Sequence, residues 1–295
     1  MLFPKKTLAA AFFILTNAAQ ASDLKSDILG RSHARGCKMT TKTIAYTDPI
    51  RGGDAVTVFS HYVRSKGAAN SIIILPPTGG ENILDRFYAR RLCQQGFNVA
   101  LIKSWSYDNE ILVDFSSHDN GYARVARSIQ HVLAYLPGDV GILGTSVGAF
   151  YAASALATEP RLKAATLIVG GSPLARVLAY SDLPSLKKQR DERMKVYGIK
   201  TPEDYEAVLR DKIRLDVSNF LPLSEKKPVL MIVGLKDTTV PTDTQETLWQ
   251  ELGKPDRIDI DSTHPGAIVK AYLFHRRKID RFFVRELNNE SILRK

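Results

Sequence analysis

Only two cysteines, Cys37 and Cys93, occur in the 295 residues. A cysteine-built metal centre is therefore not expected, because His33 and Cys37 have no matching second pair at ligand spacing. Beyond the first twenty or so residues no apolar run approaches the roughly 18–20 residues that a transmembrane helix needs, so no span is expected. Internal repeats and low-complexity tracts are missing. No nucleic-acid motif is present either, and the basic residues are not interleaved with aromatics as in a binding stripe. Acid is the scarcer charge, with 31 Asp and Glu against 41 Lys and Arg and a formal net charge of +10. The excess is spread from Arg31 to Lys295, with concentrations at Lys187-Lys188-Gln189-Arg190 and His275-Arg276-Arg277-Lys278. Both concentrations fall in expected helices and read as solvated faces, peripheral contact with an anionic lipid or glycan surface being the alternative.

The N-terminus has its own pattern. Lys5 and Lys6 make a basic start, Thr7 to Ala18 is mostly apolar, and Ala19-Gln20-Ala21 offers an A-x-A cleavage site before Ser22. This predicts a secretory signal peptide over residues 1–21, too short to cross a bilayer. No lipobox cysteine follows it, so a soluble exported protein is expected, in the periplasm or outside the cell. The remaining 274 or so residues suffice for one large domain burying roughly three quarters of its unfolded surface. In an oxidising compartment Cys37 and Cys93 could pair; Cys93 could equally be a small buried thiol on the helix expected from Asp85 to Gln95. The residue pattern leaves both open.

From Ser71 onward, strand-like and helix-like segments alternate. Ser71 to Leu75 is a short, continuous apolar run suited to a strand buried on both faces, and Phe97 to Ile102, Asp139 to Leu143, Ala164 to Gly170, Pro228 to Val233 and Arg257 to Ile260 are further expected strands. Helices are expected at Asn82–Gln95, Asn120–Tyr135, Ala149–Thr158, Thr242–Leu252 and Gly266–Leu287. Thr43 to Tyr46 and Ala55 to Val63 look like an antiparallel start. Alternation of this kind implies a mostly parallel sheet with helices on both faces. One interval breaks it: about 55 residues separate Gly171 from Pro228, far beyond the usual connection. It holds a charged segment from Pro184 to Val196 and a helix start at Thr201-Pro202-Glu203-Asp204. A helical lid insertion at about 173–226 is expected.

In a parallel sheet the ligand crevice lies beyond the carboxyl ends of the strands. Ser146 stands there, at the centre of Gly144-Thr145-Ser146-Val147-Gly148, between an apolar run and a small-residue helix. That is the strand–turn–helix context of a nucleophile elbow. The bare pattern arises by chance in roughly one chain in ten of this length, so partners are needed. Asp237 follows another strand, in Gly234-Leu235-Lys236-Asp237-Thr238-Thr239-Val240-Pro241. His264 follows the next, in Ser262-Thr263-His264-Pro265-Gly266. A serine hydroxyl becomes nucleophilic when a base takes its proton, a neutral histidine can do so near pH 7, and a carboxylate can fix the histidine's tautomer. His33, His61, His118, His131 and His275 compete for the base, but only His264 follows a strand late in the chain. Asp259 and Asp261 lie too near His264 in sequence to turn back onto its ring; Asp108, Asp114 and Asp119 read as loop carboxylates or caps. Backbone donors for a developing oxyanion are expected from Val147 and from Thr78, with Gly79 as alternate. Pro76 and Pro77 just before them carry no N–H.

With the elbow, the acid loop, the late histidine loop and the glycine-containing loop after the Ile72–Leu75 strand in this order, the chain resembles the α/β-hydrolase superfamily over about Ala55 to Leu287. The resemblance implies an eight-stranded, mostly parallel sheet, a Ser146–Asp237–His264 triad, no cofactor, and a small-molecule ester, thioester or amide substrate. Pro76-Pro77 departs from the His-Gly of many lipases and esterases. A peptidase, an acyltransferase or a non-catalytic binding protein on the same fold are the competing expectations.

Overall fold

The computed structural model describes residues 36–47, 54–64, 69–103, 114–221 and 226–288. The expected signal peptide, His33 and Asp108 lie outside them. Among the described residues, β1 (Cys37–Thr47), β2 (Asp54–Arg64), β3 (Ser71–Leu75), β4 (Asn98–Ile102), β5 (Val140–Thr145), β6 (Leu162–Ile168), β7 (Val229–Gly234) and β8 (Asp256–Ile260) make one 8-stranded sheet. Its order is β1-β2-β4-β3-β5-β6-β7-β8. β2 runs antiparallel to both neighbours, and every pair from β4 to β8 is parallel.

β3, β4, β5 and β7 are buried at every position, and largely apolar, because both faces are covered. Ile73, Leu75, Ile142 and Met231 point to one side, against α2 (Ser116–Tyr135) and α3 (Val147–Thr158). Ile72, Ile74, Leu143 and Ile232 point to the other, against α1 (Ile83–Gln94) and the C-terminal helix. Burying each such side chain contributes about 1.5–3 kcal/mol, so the two-sided core fixes the register of the strands. Asn82 caps α1 in a reciprocal box with Asp85.

From β3 the chain moves to β4 on one side, then crosses back to β5 on the other side of β3. The carboxyl ends of β3 and β5 thus flank the point where strand order reverses, the place at which such sheets hold their ligands.

Between β6 and β7 the insertion folds as α4 (Leu174–Tyr180), α5 (Pro184–Tyr197), α6 (Pro202–Lys212) and α7 (Val217–Phe220). Thr201 caps α6 and Pro202 opens it, as the sequence predicts. Phe115, Leu178, Tyr205, Leu209 and Ile213 give these helices a small core of their own. Arg193 on α5 is wholly buried; it donates to the Asp114 carbonyl (2.7 Å), the Ser117 hydroxyl (3.1 Å) and the Tyr205 hydroxyl (3.2 Å).

α8 (Thr242–Glu251) follows β7, and a last helical stretch follows β8: α9 (His264–Lys270), a π turn (Ala271–His275) and α10 (Arg276–Asn288). Some boundaries differ from expectation; β1, for one, starts at Cys37 rather than Thr43. α2 starts at Ser116 without a side-chain cap, so His118, expected in a loop, is helical. The terminal helix starts at His264 rather than Gly266, because Thr263 already takes the extended N-cap conformation and Pro265 suits a first turn.

Cys37 and Cys93 form a disulfide with their Cα atoms 6.3 Å apart. It ties β1, an edge strand whose residues are half-buried or exposed, to the packed helix α1. Closing a loop over a sequence separation of 56 is worth about 4 kcal/mol on a chain-entropy treatment. Urea denaturation of the Cys37→Ala/Cys93→Ala protein is expected to show a loss of that order.

Candidate active site

Ser146 sits between β5 and α3 with φ 57° and ψ −121°, a conformation that crowds any side chain and is held here by close packing. The glycines on either side make that packing possible. A Cβ on Gly144 would lie 2.2 Å from the Gly148 carbonyl oxygen, and one on Gly148 would lie 2.4 Å from the carbonyl oxygen of Leu75 and 2.5 Å from that of Pro76. The start of α3 is therefore pressed against the end of β3 and Pro76. The Ser146 N–H donates to the Ile168 carbonyl (2.8 Å), which anchors the turn on β6.

Three side chains from three strand ends meet in one hydrogen-bonded line. His264 Nε2 lies 3.0 Å from Ser146 Oγ, and His264 Nδ1 lies 2.6 Å from Asp237 Oδ2. An ionised carboxylate only accepts, so Nδ1 carries the proton and Nε2 is left to accept from the serine. Asp237 is 2% exposed, while Ser146 and His264 are each 9% exposed. The acid is thus sealed from water while the serine and the ring stay reachable at one edge.

Asp237 is held from several directions. Its Oδ1 accepts from the Thr239 N–H (3.0 Å) and the Val240 N–H (2.9 Å), and its Oδ2 from Gln245 Nε2 (3.0 Å). Gln245 is completely buried on α8, and its remaining bonds run to the Val240 carbonyl (2.8 Å) and from the Gly234 N–H (3.2 Å). Sequence reasoning misses Gln245, which looks like one polar residue among several in Thr242–Glu251. Gln245→Leu leaves the Gly234 N–H and one Asp237 bond unmade. The expected result is a kcat roughly 10–100-fold lower through misplacement of the acid and a loss of about 1–3 kcal/mol in unfolding free energy. Steady-state kinetics beside urea denaturation would separate the two.

The root of the insertion clamps the same loop from outside. Ser181 donates to the Thr239 carbonyl (2.6 Å), and Asp182 accepts from the hydroxyls of Thr238 and Thr239. The Thr238 hydroxyl chiefly, with smaller contributions from Thr239 and His264, holds the Asp182 carboxyl below the usual carboxylate range.

Other candidates are engaged elsewhere. His118 is pushed down to about 3 by burial and then by Arg193, whose guanidinium donates to its Nε2 at 2.7 Å. His61 pairs with the Tyr135 hydroxyl, His131 with Thr57, and His275 lies in the π turn. Asp259 pairs with Arg257 and Asp261 with Lys236. Asp114 accepts from Ser116, and Asp119, on α2, accepts the N–H groups of Arg214 and Leu215.

In the Pro77–Gly80 turn, closed by the Gly80 N–H on the Pro77 carbonyl (3.1 Å), the Thr78 and Gly79 N–H groups occupy the two central positions. Among the described residues they make no backbone hydrogen bond, nor does the Val147 N–H at the start of α3. Among the described residues no group of acids, histidines and cysteines could hold a metal ion.

Similar folds occur among solved structures. The esterase Pf2001 of Pyrococcus furiosus superposes with a TM-score of 0.58 at 15% identity, over 84% of this chain and 92% of that one. This chain has the α/β-hydrolase fold. An esterase from an Arctic intertidal metagenomic library shares it, with a TM-score of 0.56 at 13% identity over 84% and 94% of the two chains. The acylaminoacyl peptidase of Pyrococcus horikoshii does so with a TM-score of 0.64 at 16% identity, over 89% of this chain but 44% of the longer peptidase. No protein-family profile matches the hydrolase-fold chain, and no curated protein matches it in sequence.

Proposed function

We propose that this chain is an exported serine hydrolase that cleaves ester or related acyl bonds through a Ser146–His264–Asp237 triad. The observation that carries this is the continuous hydrogen-bonded line from Ser146 Oγ through both ring nitrogens to a buried carboxylate. Ser146 attacks the acyl carbonyl as His264 Nε2 takes its proton, and Asp237 stabilises the imidazolium. The tetrahedral oxyanion is met by the N–H of Val147 and that of Thr78 or Gly79. His264 then gives its proton to the leaving group, and water activated by the same ring releases the acyl-enzyme. Every step uses groups of this chain, so no cofactor or metal ion is invoked. Residues 22–295 form a single domain after a leader at 1–21, and helices α4–α7 act as a lid over the crevice.

A fluorophosphonate probe is expected to label Ser146 in the wild-type chain and to leave Ser146→Ala unlabelled. Folded wild-type protein that stays unlabelled would overturn the proposal. A peptidase or acyltransferase would use the same site, and the likeness to the acylaminoacyl peptidase keeps that alternative open. Turnover of aminoacyl amides against acyl esters, with and without an alcohol acceptor, distinguishes them.

A further inference from the structure

The helix that begins at His264 continues without a break to Asn288 through the π turn at Ala271–His275. Its buried side is Ala267, Ala271, Ile279, Phe282, Phe283 and Leu287. An α-helical turn takes about 3.6 residues, yet Ala267, Ala271, Ile279, Phe283 and Leu287 are buried at multiples of four, a drift that adds up along the helix. The wider π turn offsets part of it and helps keep the two halves in phase.

The consequence appears on the opposite side. Leu273 is 45% exposed and Phe274 is 71% exposed, on a rigid helix rather than a loop. Around them, at helical spacings of three and four, stand Lys270, Arg277, Lys278 and Arg281. Arg277, Lys278 and Arg281 are exposed, and among the described residues none has a carboxylate within ion-pair distance. Lys270 donates to the Asp261 carbonyl (2.9 Å) and also acts on the Asp261 carboxylate. The face therefore consists of an apolar tip flanked by three cations, Arg277, Lys278 and Arg281, that have no carboxylate partner among the described residues.

We infer that this face, from Lys270 to Arg281, docks the protein on an anionic lipid bilayer. A bilayer presents both complementary parts in the right order, an anionic headgroup plane and just beneath it the acyl boundary where Leu and Phe side chains are buried. A soluble acidic polymer would neutralise the cations but leave Leu273 and Phe274 in water. A second copy would set like charges against each other. Among the described residues no helix is long and apolar enough to cross a membrane, so the attachment is peripheral. It is independent of the proposed chemistry at Ser146.

Flotation of the full chain with vesicles tests this, using phosphatidylcholine alone against an equal mixture with phosphatidylglycerol. The wild type is expected to partition at least ~10-fold better onto the anionic vesicles and to lose that preference in about 0.5 M salt. Arg277→Glu/Lys278→Glu/Arg281→Glu should lose it as well, and Leu273→Ser/Phe274→Ser should weaken binding about fivefold at unchanged charge. The first 21 residues are common to all variants, so differences between variants isolate this face. Both described cysteines are in the disulfide, which lets Phe274→Cys carry an environment-sensitive dye. Its emission should shift to the blue on anionic vesicles and not on heparin. Equal partition of all variants, or a charge-dependent loss with no effect of the serine pair and no dye shift, would overturn the inference. So would association of the wild type with itself in place of vesicles.

Discussion

Replacing Ser146 with alanine or with glycine is expected to lower kcat for ester hydrolysis by about 10^5–10^6-fold, because the nucleophile and the base act as one unit. The two variants should nevertheless differ in stability. Both lose the hydroxyl and its hydrogen bond to His264, but only alanine keeps a Cβ at φ 57°, ψ −121°. Such a conformation costs a non-glycine residue about 1–3 kcal/mol, of which the greater unfolded-state freedom of glycine returns about 0.5–1. Ser146→Gly should therefore unfold at higher urea than Ser146→Ala, by about 1 kcal/mol. Equal stabilities would show that the elbow is not strained. Residual turnover above about 1% of wild type would remove Ser146 from the role of nucleophile.

Asp237→Asn is expected to be nearly as damaging, with kcat about 10^4-fold lower. The asparagine side chain has one oxygen where the aspartate has two. If that oxygen keeps the N–H groups of Thr239 and Val240, the amide nitrogen points at both His264 Nδ1 and Gln245 Nε2. Two consequences follow from donor and acceptor counting. His264 Nδ1 must become an acceptor, which moves the ring proton to Nε2 and leaves nothing to take the serine proton. Gln245 meets a donor with a donor, and the lost bond costs about 1–3 kcal/mol of stability. Kinetics and urea denaturation on one preparation would show both losses. A variant with wild-type kcat would mean that Asp237 does not orient the base. Gln245→Leu perturbs the same carboxylate more gently, so its smaller effect on kcat serves as the internal scale.

Much of this could be read from the residues. Ser146 and Asp237 stand out because each follows a short apolar strand, and His264 because it follows the last expected strand; continuous apolar runs such as Ile72–Leu75 announce a parallel sheet whose carboxyl ends share one edge. The long interval before Pro228 announces an insertion in the same way. Gln245 was illegible because a buried glutamine and a solvated one have the same letter; only the rotation of α8 against β7 turns its amide toward Asp237. His118 falls in α2 because the helix starts after Phe115, a residue with no capping side chain, and the first N–H is taken instead by Asp114 one position earlier. The π turn left no sequence signature either, since it goes with keeping positions from Ala267 to Leu287 on one face over a long helix.

The sequence by itself determined the alternation of strands and helices and the residue types standing at the strand ends, because hydrophobic period and turn chemistry are local properties. Tertiary structure alone decided the pairing of Cys37 with Cys93, the burial of Gln245 behind Asp237, and the exposure of Phe274 among unpaired cations. Each depends on how two elements far apart in the chain are set against one another, and that is fixed by side-chain packing across the sheet, which no local pattern encodes.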